Sequence, residues 1–181
     1  MRILLTACAV AALAACDQNQ SSVSIGQPSK PTAAKTAAAK PIASLPRKAP
    51  ATKAAALKLM HDRHEDMEKI RDAFRDSGRT LKTANPDLAV IRKSAATMAR
   101  LAPQIPSWFP PGTGPDVGKT EAKAAIWQTP QDFAAKAHAF NTLVQGFNGA
   151  AKAGDMSALK AGAADLGKSC KACHDLYREE H

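Results

Sequence analysis

Four segments of this chain repeat apolar residues at alternating intervals of three and four, and this pattern limits the fold more than any other feature. Such spacing places the residues along one face of an α-helix. The pattern therefore predicts four amphipathic helices. Their predicted buried faces are Met60, Arg63, Met67, Ile70, Phe74, Ser77 and Leu81; Leu88, Ile91, Ala95, Met98 and Ala102; Phe133, Ala137, Phe140, Val144, Phe147 and Ala151; and Leu159, Ala163, Leu166, Cys170, Cys173 and Tyr177.

Capping and breaking residues separate these segments. Residues expected to begin helices are Asn85 with Pro86, Thr129 with Pro130, and Asp155, whereas Pro103, Pro106 and Gly154 are expected to end them. Residues 103–118 predict a long connection, with a short helix over residues 119–127. Because the other connections are short, we predict an all-α fold, an antiparallel up-and-down four-helix bundle.

Composition supports an all-α fold and limits the partners. Only 4% of the 181 residues are aromatic, which disfavours a β-sandwich or a β-barrel. Residues 51–181 contain 19 basic and 15 acidic residues with interspersed signs, so we expect no nucleic-acid partner. Small residues on the predicted buried faces, namely Ala137, Ala151 and Ala163, predict an under-filled core with room for another group.

The N-terminus has the features of an export signal. Arg2 precedes an apolar run from Ile3 to Ala15, which is too short to cross a membrane as a helix. The run ends in Leu-Ala-Ala before Cys16, which resembles a bacterial lipobox. Residues 1–15 are therefore predicted to be a lipoprotein signal peptide and Cys16 to be lipidated. A plain secretory signal is the alternative, and it would leave Cys16 as an unpaired thiol.

Residues 16–50 are built mainly from Ala, Pro, Ser, Gln and Lys, with five prolines among Ala-Lys runs. Large apolar side chains are scarce, so this stretch cannot offset the entropy that ordering would cost. It is predicted to be a disordered tether. Residues 51–181 then form the folded domain, which the lipid would hold on the periplasmic side of a bacterial membrane.

The chemistry is concentrated in Cys170-Lys171-Ala172-Cys173-His174. C-x-x-C-H is the attachment signature of c-type haem. Cys170 and Cys173 lie on nearly the same helical face and can each form a thioether, while His174 can bind the iron. The alternatives for this motif are a thioredoxin-like redox pair, a zinc site and a structural disulfide. The first lacks a βαβ context and the second lacks further ligands at suitable spacing, so haem is favoured.

The sequence resembles class II cytochromes c, the cytochrome c' family, over about residues 55–180. In class I cytochromes c the haem motif lies near the N-terminus, whereas here it follows four predicted helices. The motifs that carry the resemblance are C-K-A-C-H-D-x-Y-R at residues 170–178, then Arg63, Met67, Ile70 and Phe74, the loop containing Trp108, Phe109 and residues 111–113, and Ile126 with Trp127. The resemblance implies one covalent haem c in the bundle.

In the resembling family, the residue four positions after the arginine of the first helix faces the sixth coordination site of the iron. A bulky apolar residue there goes with five-coordinate iron that binds NO or CO, whereas Met goes with six-coordinate, electron-transferring iron. Met67 holds this position. The resemblance thus implies Met67 as an axial ligand. Met67 as a packing residue is the alternative, and Met60 is a weaker candidate ligand.

Two arginines are candidate cofactor-binding residues. Arg63 interrupts an apolar helical face, which is expected if it meets a haem propionate; the alternative is an arginine that extends to the surface. Arg178 follows His174 by one helical turn, and a corresponding arginine borders the haem in the resembling family. The alternative for Arg178 is a solvated charge at a helix end.

Two functions follow from this pattern. The first is a monohaem electron carrier with periplasmic or membrane redox proteins as partners, and the second is a gas-binding protein that sequesters or senses NO. Beyond the haem motif the sequence contains no nucleophile-base or acidic pair that would mark an enzyme. The charged first helix leaves both a homodimer and a monomer open.

Overall fold

The computed structural model describes residues 48–180, so the predicted signal peptide, Cys16 and most of the predicted tether lie outside the described residues. The helices are α1 (Lys53–Leu81), α2 (Leu88–Leu101), the single turn α3 (Ala125–Gln128), α4 (Pro130–Ala153) and α5 (Met156–Tyr177). The four long helices are the four predicted ones. They confirm the all-α bundle, in which α1 packs mainly on α2 and α4 packs mainly on α5.

The predicted signals at the connection between α4 and α5 are confirmed. Gly154 has φ of 74°, a left-handed conformation that glycine adopts at little cost, and it ends α4. Asp155 then accepts a hydrogen bond of 2.9 Å from the backbone N–H of Ala158 at the start of α5. These two residues reverse the chain and set α4 antiparallel to α5.

The predicted start of α2 is wrong. Asp87 caps the helix instead of Asn85, because its carboxylate accepts hydrogen bonds from the backbone N–H groups of Ala89 and Val90. Thr80, near the end of α1, accepts a 2.6 Å hydrogen bond from the backbone N–H of Asp87. This hydrogen bond between the end of α1 and the start of α2 places Asp87 at the capping position.

The long connection also differs from its prediction. A 3₁₀-helix over Ala102–Trp108 continues directly from α2, although the α-helix itself ends before Pro103 as expected. The predicted helix over residues 119–127 is reduced to α3, since residues 120–123 are not helical and lie beside the end of α5. Ala122 and Arg178 form an isolated antiparallel bridge there.

The core follows the predicted faces closely. Every predicted position of α4 is buried, and the predicted residues of α1 and α2 are buried or packed on the core. Within residues 48–180, no helix combines the length and the apolar character needed to cross a membrane.

Candidate functional site

A cavity of about 890 Å³ lies between α1 and α5, and α4 contributes to its floor. This volume is within the range of about 300–1,000 Å³ that is typical of ligand pockets. The predicted cavity between the first and last long helices is confirmed, because all five residues expected to line it do so. They are Arg63, Met67, Ile70, Cys170 and His174.

Apolar side chains form the deep part of the cavity, which shields a bound group from water. They come from every long helix and from the connection after α2, and they include Met98, Ile105, Phe109, Phe133 and Phe140. Ala137 lies among them. The small residues Ala151 and Ala163 are not among the lining residues, so the expectation that they leave space is wrong. Near Ala151 and Ala163, α4 and α5 approach each other closely. A Cβ on Gly162 would lie 3.2 Å from Cδ2 of Phe147.

Cys170 and Cys173 lie in the last two turns of α5, half-buried at the cavity wall, and neither forms a disulfide. Burial raises the pKa of both thiols, that of Cys173 to about 11. Reactive redox dithiols have the opposite shift, since their function requires a thiolate near neutral pH. The electrostatics therefore disfavour a thioredoxin-like pair.

His174 borders the same cavity but is exposed to solvent at its edge. Partial loss of solvent, together with the positive charge of Arg178, lowers the pKa of His174 below its usual value. Its neutral imidazole, which is the form that binds metals, is thereby favoured. The helical backbone places His174 directly after Cys173, so one turn of α5 presents two thiols and an imidazole to one space.

Arg63 enters the cavity wall from α1 and is only 4% exposed. Its guanidinium donates hydrogen bonds of 3.1 Å to Oγ1 of Thr113 and 2.7 Å to Oγ1 of Thr120. The same guanidinium lies over two aromatic rings, 4.9 Å from the ring centre of Phe109 and 5.7 Å from that of Trp127. The alternative of an arginine that extends to the surface is wrong.

Burial lowers the pKa of Arg63 to about 10, so the side chain still carries a full positive charge at neutral pH. Within residues 48–180, its hydrogen-bond acceptors are neutral hydroxyls, and no carboxylate forms an ion pair with it. A buried charge without a counter-charge is costly. This part of the cavity is therefore suited to an anionic group.

Arg178 also borders the cavity, and its side chain is 48% exposed. Its Nε donates a 2.7 Å hydrogen bond to Oε2 of Glu121. Its backbone N–H donates to the carbonyl oxygen of His174, which completes the last turn of α5. Arg178 thus combines the two interpretations of the sequence, since it is a half-exposed charge at a helix end that lies beside the cavity.

Met67 and Met60 both line the cavity from α1. Met67 is half-buried and packs against the core, whereas Met60 is buried near Gly118, where a Cβ would lie 3.4 Å from Cε of Met60. The two thioethers are two helical turns apart. Both methionines therefore line the same cavity as the cysteines and His174, from the helix that faces α5 across it.

Thr113 and Thr120 were not anticipated as site residues. They lie outside any periodic segment, and the resemblance drew attention to Thr113 only as part of a loop. The one available signal was Arg63 itself, because a buried guanidinium requires acceptors from somewhere in the chain. Trp127 also serves the connection, since its indole N–H donates to the carbonyl oxygens of Phe109 and Pro110.

Residues 58–178 match the family model described as Cytochrome C'. The chain belongs to the cytochrome c' family. One relative, the cytochrome c' of Pararhodospirillum photometricum, is 32% identical over 120 residues, which cover 62% of this chain and 95% of the relative. Cytochrome c-554 of Cereibacter sphaeroides is 32% identical over 128 residues, which cover 68% of this chain and 82% of the relative.

Solved cytochrome c' structures share the bundle. That from Thermochromatium tepidum has a TM-score of 0.64 at 25% identity and covers 71% of this chain and 100% of its own. That from Shewanella frigidimarina has a TM-score of 0.62 at 36% identity and covers 69% and 97%, respectively.

Cytochrome c' proteins carry covalently bound haem c. The residues of this chain fit that group in three respects. Two thiols with thioether-forming spacing are followed by an imidazole, and the deep cavity wall is apolar. Arg63, a buried cation that forms no ion pair with any residue from 48 to 180, lines the same cavity and suits an acidic substituent of the ring. The chain is therefore a monohaem cytochrome of this family.

Proposed function

We propose that this cytochrome c' family member transfers electrons, with iron held between His174 and Met67. Haem iron supplies one-electron chemistry when bound. The observation that carries the proposal is the position of Met67, whose thioether lines the same cavity as His174 from the opposite helix. A thioether ligand raises the reduction potential of haem iron relative to two imidazoles.

In this proposal Cys170 and Cys173 would hold the haem by two thioether bonds from one face of α5. His174 would supply a nitrogen ligand to the iron, and Met67 would supply a sulfur ligand from α1. A bound thioether would exclude exogenous ligands from the iron. Both ligand residues belong to long helices, and rigid ligands would keep the structural change between redox states small.

Arg63 is proposed to bind a haem propionate, because it is a buried cation whose acceptors are neutral hydroxyls. Arg178 is proposed to border the haem on the side of His174. Its guanidinium is held there by the hydrogen bond to Glu121. The apolar floor formed by Phe109, Phe133 and Phe140 excludes water from the ring.

A gas-binding function is the second candidate. A solved variant of the cytochrome c' of Alcaligenes xylosoxidans is a nitric oxide complex, and this structure has a TM-score of 0.62 with the present chain. If Met67 only packs against the ring, the sixth position is open to NO or CO. The same cavity would then accommodate a bound gas molecule, and electron transfer would not be its main function.

Spectroscopy of the purified full-length holoprotein separates the two functions. The proposal expects low-spin iron in the oxidised state by electron paramagnetic resonance. It also expects the absorption spectrum of the reduced protein to be unchanged after CO is added. High-spin oxidised iron together with ready CO binding would contradict the electron-transfer function and support the gas-binding function.

We infer that the protein acts at a membrane on the periplasmic side through a lipid on Cys16. In a strain that exports and matures the protein, Cys16→Ser is expected to move it from the membrane fraction to the soluble periplasmic fraction with an unchanged haem spectrum. The spectrum serves as the control for folding. A wild-type protein that is already soluble after export would disprove the lipid anchor.

Redox proteins of the periplasm or membrane are the proposed partners, and nothing beyond the haem motif gives this chain a proposed enzymatic role. One solved cytochrome c' is described as having ligand-controlled dimer dissociation. A homodimer of this chain stays a prediction, which the mass of the purified holoprotein in solution will test.

A further inference from the structure

α1 and α5 carry the proposed iron ligands, yet each of them packs mainly on another helix: α1 on α2, and α5 on α4. The direct contact between α1 and α5 is small and includes Phe74 against Gly167. A second connection between the two helices runs along the edge of the cavity. It is formed by residues 120–123, here called the strap.

One end of the strap is bonded to α1. Oγ1 of Thr120 accepts the 2.7 Å hydrogen bond from Nη2 of Arg63, and it also accepts a 3.2 Å hydrogen bond from the backbone N–H of Ala122. Arg63 is one helical turn before Met67. The hydroxyl of Thr120 therefore connects the backbone of the strap to the helix that carries Met67.

The other end is bonded to the last residues of α5. The backbone N–H of Lys123 donates to the carbonyl oxygen of Tyr177 at 2.9 Å, and the backbone N–H of Glu179 donates to that of Glu121 at 2.8 Å. Arg178 adds its ion pair with Glu121. Tyr177 is three residues after His174, so these bonds hold the turn of α5 that carries the imidazole.

We propose that Thr120 is a positioning residue that sets the spacing between Met67 and His174 by joining α1 to the end of α5 through the strap. This inference rests on the proposed axial ligands, but the hydrogen bonds of the strap can be measured independently of them. Thr113 provides a contrast, because it accepts from Nη1 of the same Arg63 but donates to Pro110, away from α5.

Thr120→Val tests the proposal, since valine keeps the shape and the extended backbone preference of threonine and removes the hydroxyl. Amide hydrogen exchange of the holoprotein is expected to become about tenfold faster at Lys123 and Glu179, because a hydrogen bond from a charged donor is lost. The iron of the same variant is expected to shift toward the high-spin state.

Three further variants make the result specific. Thr120→Ser keeps the hydroxyl and is expected to behave as the wild type. Thr113→Val is expected to leave the exchange of both amides unchanged. Thr142→Val removes a hydroxyl that donates only to the carbonyl oxygen of His138 on α4, and it controls for the substitution itself.

Unchanged exchange at Lys123 and Glu179 in Thr120→Val would overturn the proposal. Equal acceleration by Thr113→Val would also overturn it, because the effect would then come from the orientation of Arg63 rather than from the strap. If the wild-type iron is already high-spin, the electron-transfer function fails, while amide exchange still decides whether the strap joins the two helices.

Discussion

The two ends of α5 carry the same spacing of three and four but differ in packing. Leu159 and Leu166 near its start are fully buried, whereas Cys170 and Cys173 near its end are half-buried at the cavity wall. The turn between α4 and α5 lies at the first end, and the strap lies at the second. One periodic pattern therefore produces a filled core at one end of the helix pair and a space for the cofactor at the other.

The difference comes from how closely the helices approach. At the filled end, Gly162 on α5 lets Phe147 of α4 pack directly against the helix backbone. At the other end, Arg63 of α1 lies over the aromatic rings of Phe109 and Trp127, and the cavity lies between α1 and α5. Heptad-like spacing defines which residues face inward, but the size of the residues at each level decides whether protein or haem fills the interior.

The largest expected effect is at the open end. Replacing both Cys170 and Cys173 with Ala should abolish covalent attachment, because the thioether bonds need both thiols. The denatured wild-type protein should retain its haem in acidified organic solvent, and the double variant should release it. Release of haem from the wild type would mean that the C-x-x-C-H motif has another role.

Substitutions of two phenylalanines on α4 sharpen the comparison between the ends. Phe147→Ala should lower the free energy of unfolding of the holoprotein by about 3–5 kcal/mol, measured with denaturant, because it empties a tightly packed site. Its haem spectrum should be unchanged. Phe140→Ala, two turns earlier at the cavity wall, should alter the spectrum.

A spectrum that changes in Phe147→Ala and not in Phe140→Ala would contradict this division of the bundle. Phe147 and Phe140 are suitable for the comparison because both are buried residues of the same helix face. The same substitution therefore removes the same side chain at the two levels.

A smaller effect is expected from the buried charge. Arg63→Leu should lower the reduction potential, since a nearby positive charge favours the reduced iron, which carries one positive charge less. The change should be on the order of 1 kcal/mol. Arg75→Leu removes the same charge from the exposed side of α1 and should have a much smaller effect, because solvent and salt screen it. Equal shifts in the two variants would argue against a specific role of Arg63.

Local patterns in the sequence were sufficient for most of the fold. Gly154 with Asp155 and the faces of the four long helices depend on neighbouring residues, and these predictions are confirmed. The start of α2 was missed because Thr80 reaches the backbone of Asp87 across the turn. The pattern of short-range spacing contains no information on such a contact.

For the site, as for the fold, local features were predicted from the sequence and contacts between distant residues were missed. The C-x-x-C-H motif and Arg63 were visible in the sequence, because a motif and an interrupted apolar face are local features. Thr120 and the strap were missed, and residues 120–123 were expected to be helical. Their non-helical backbone is held by hydrogen bonds with Tyr177 and Glu179, more than 50 residues later in the chain.

Electron transfer depends most directly on Met67, so the decisive measurement is CO binding to the reduced holoprotein of Met67→Leu and of the matched variant Met60→Leu. Leu conserves volume and should cost the fold under about 1.5 kcal/mol at either position. If Met67 is the axial ligand, Met67→Leu should become high-spin and bind CO, while Met60→Leu and the wild type stay low-spin and exclude it. CO binding by the wild type, or by Met60→Leu as readily as by Met67→Leu, would contradict the proposed ligand.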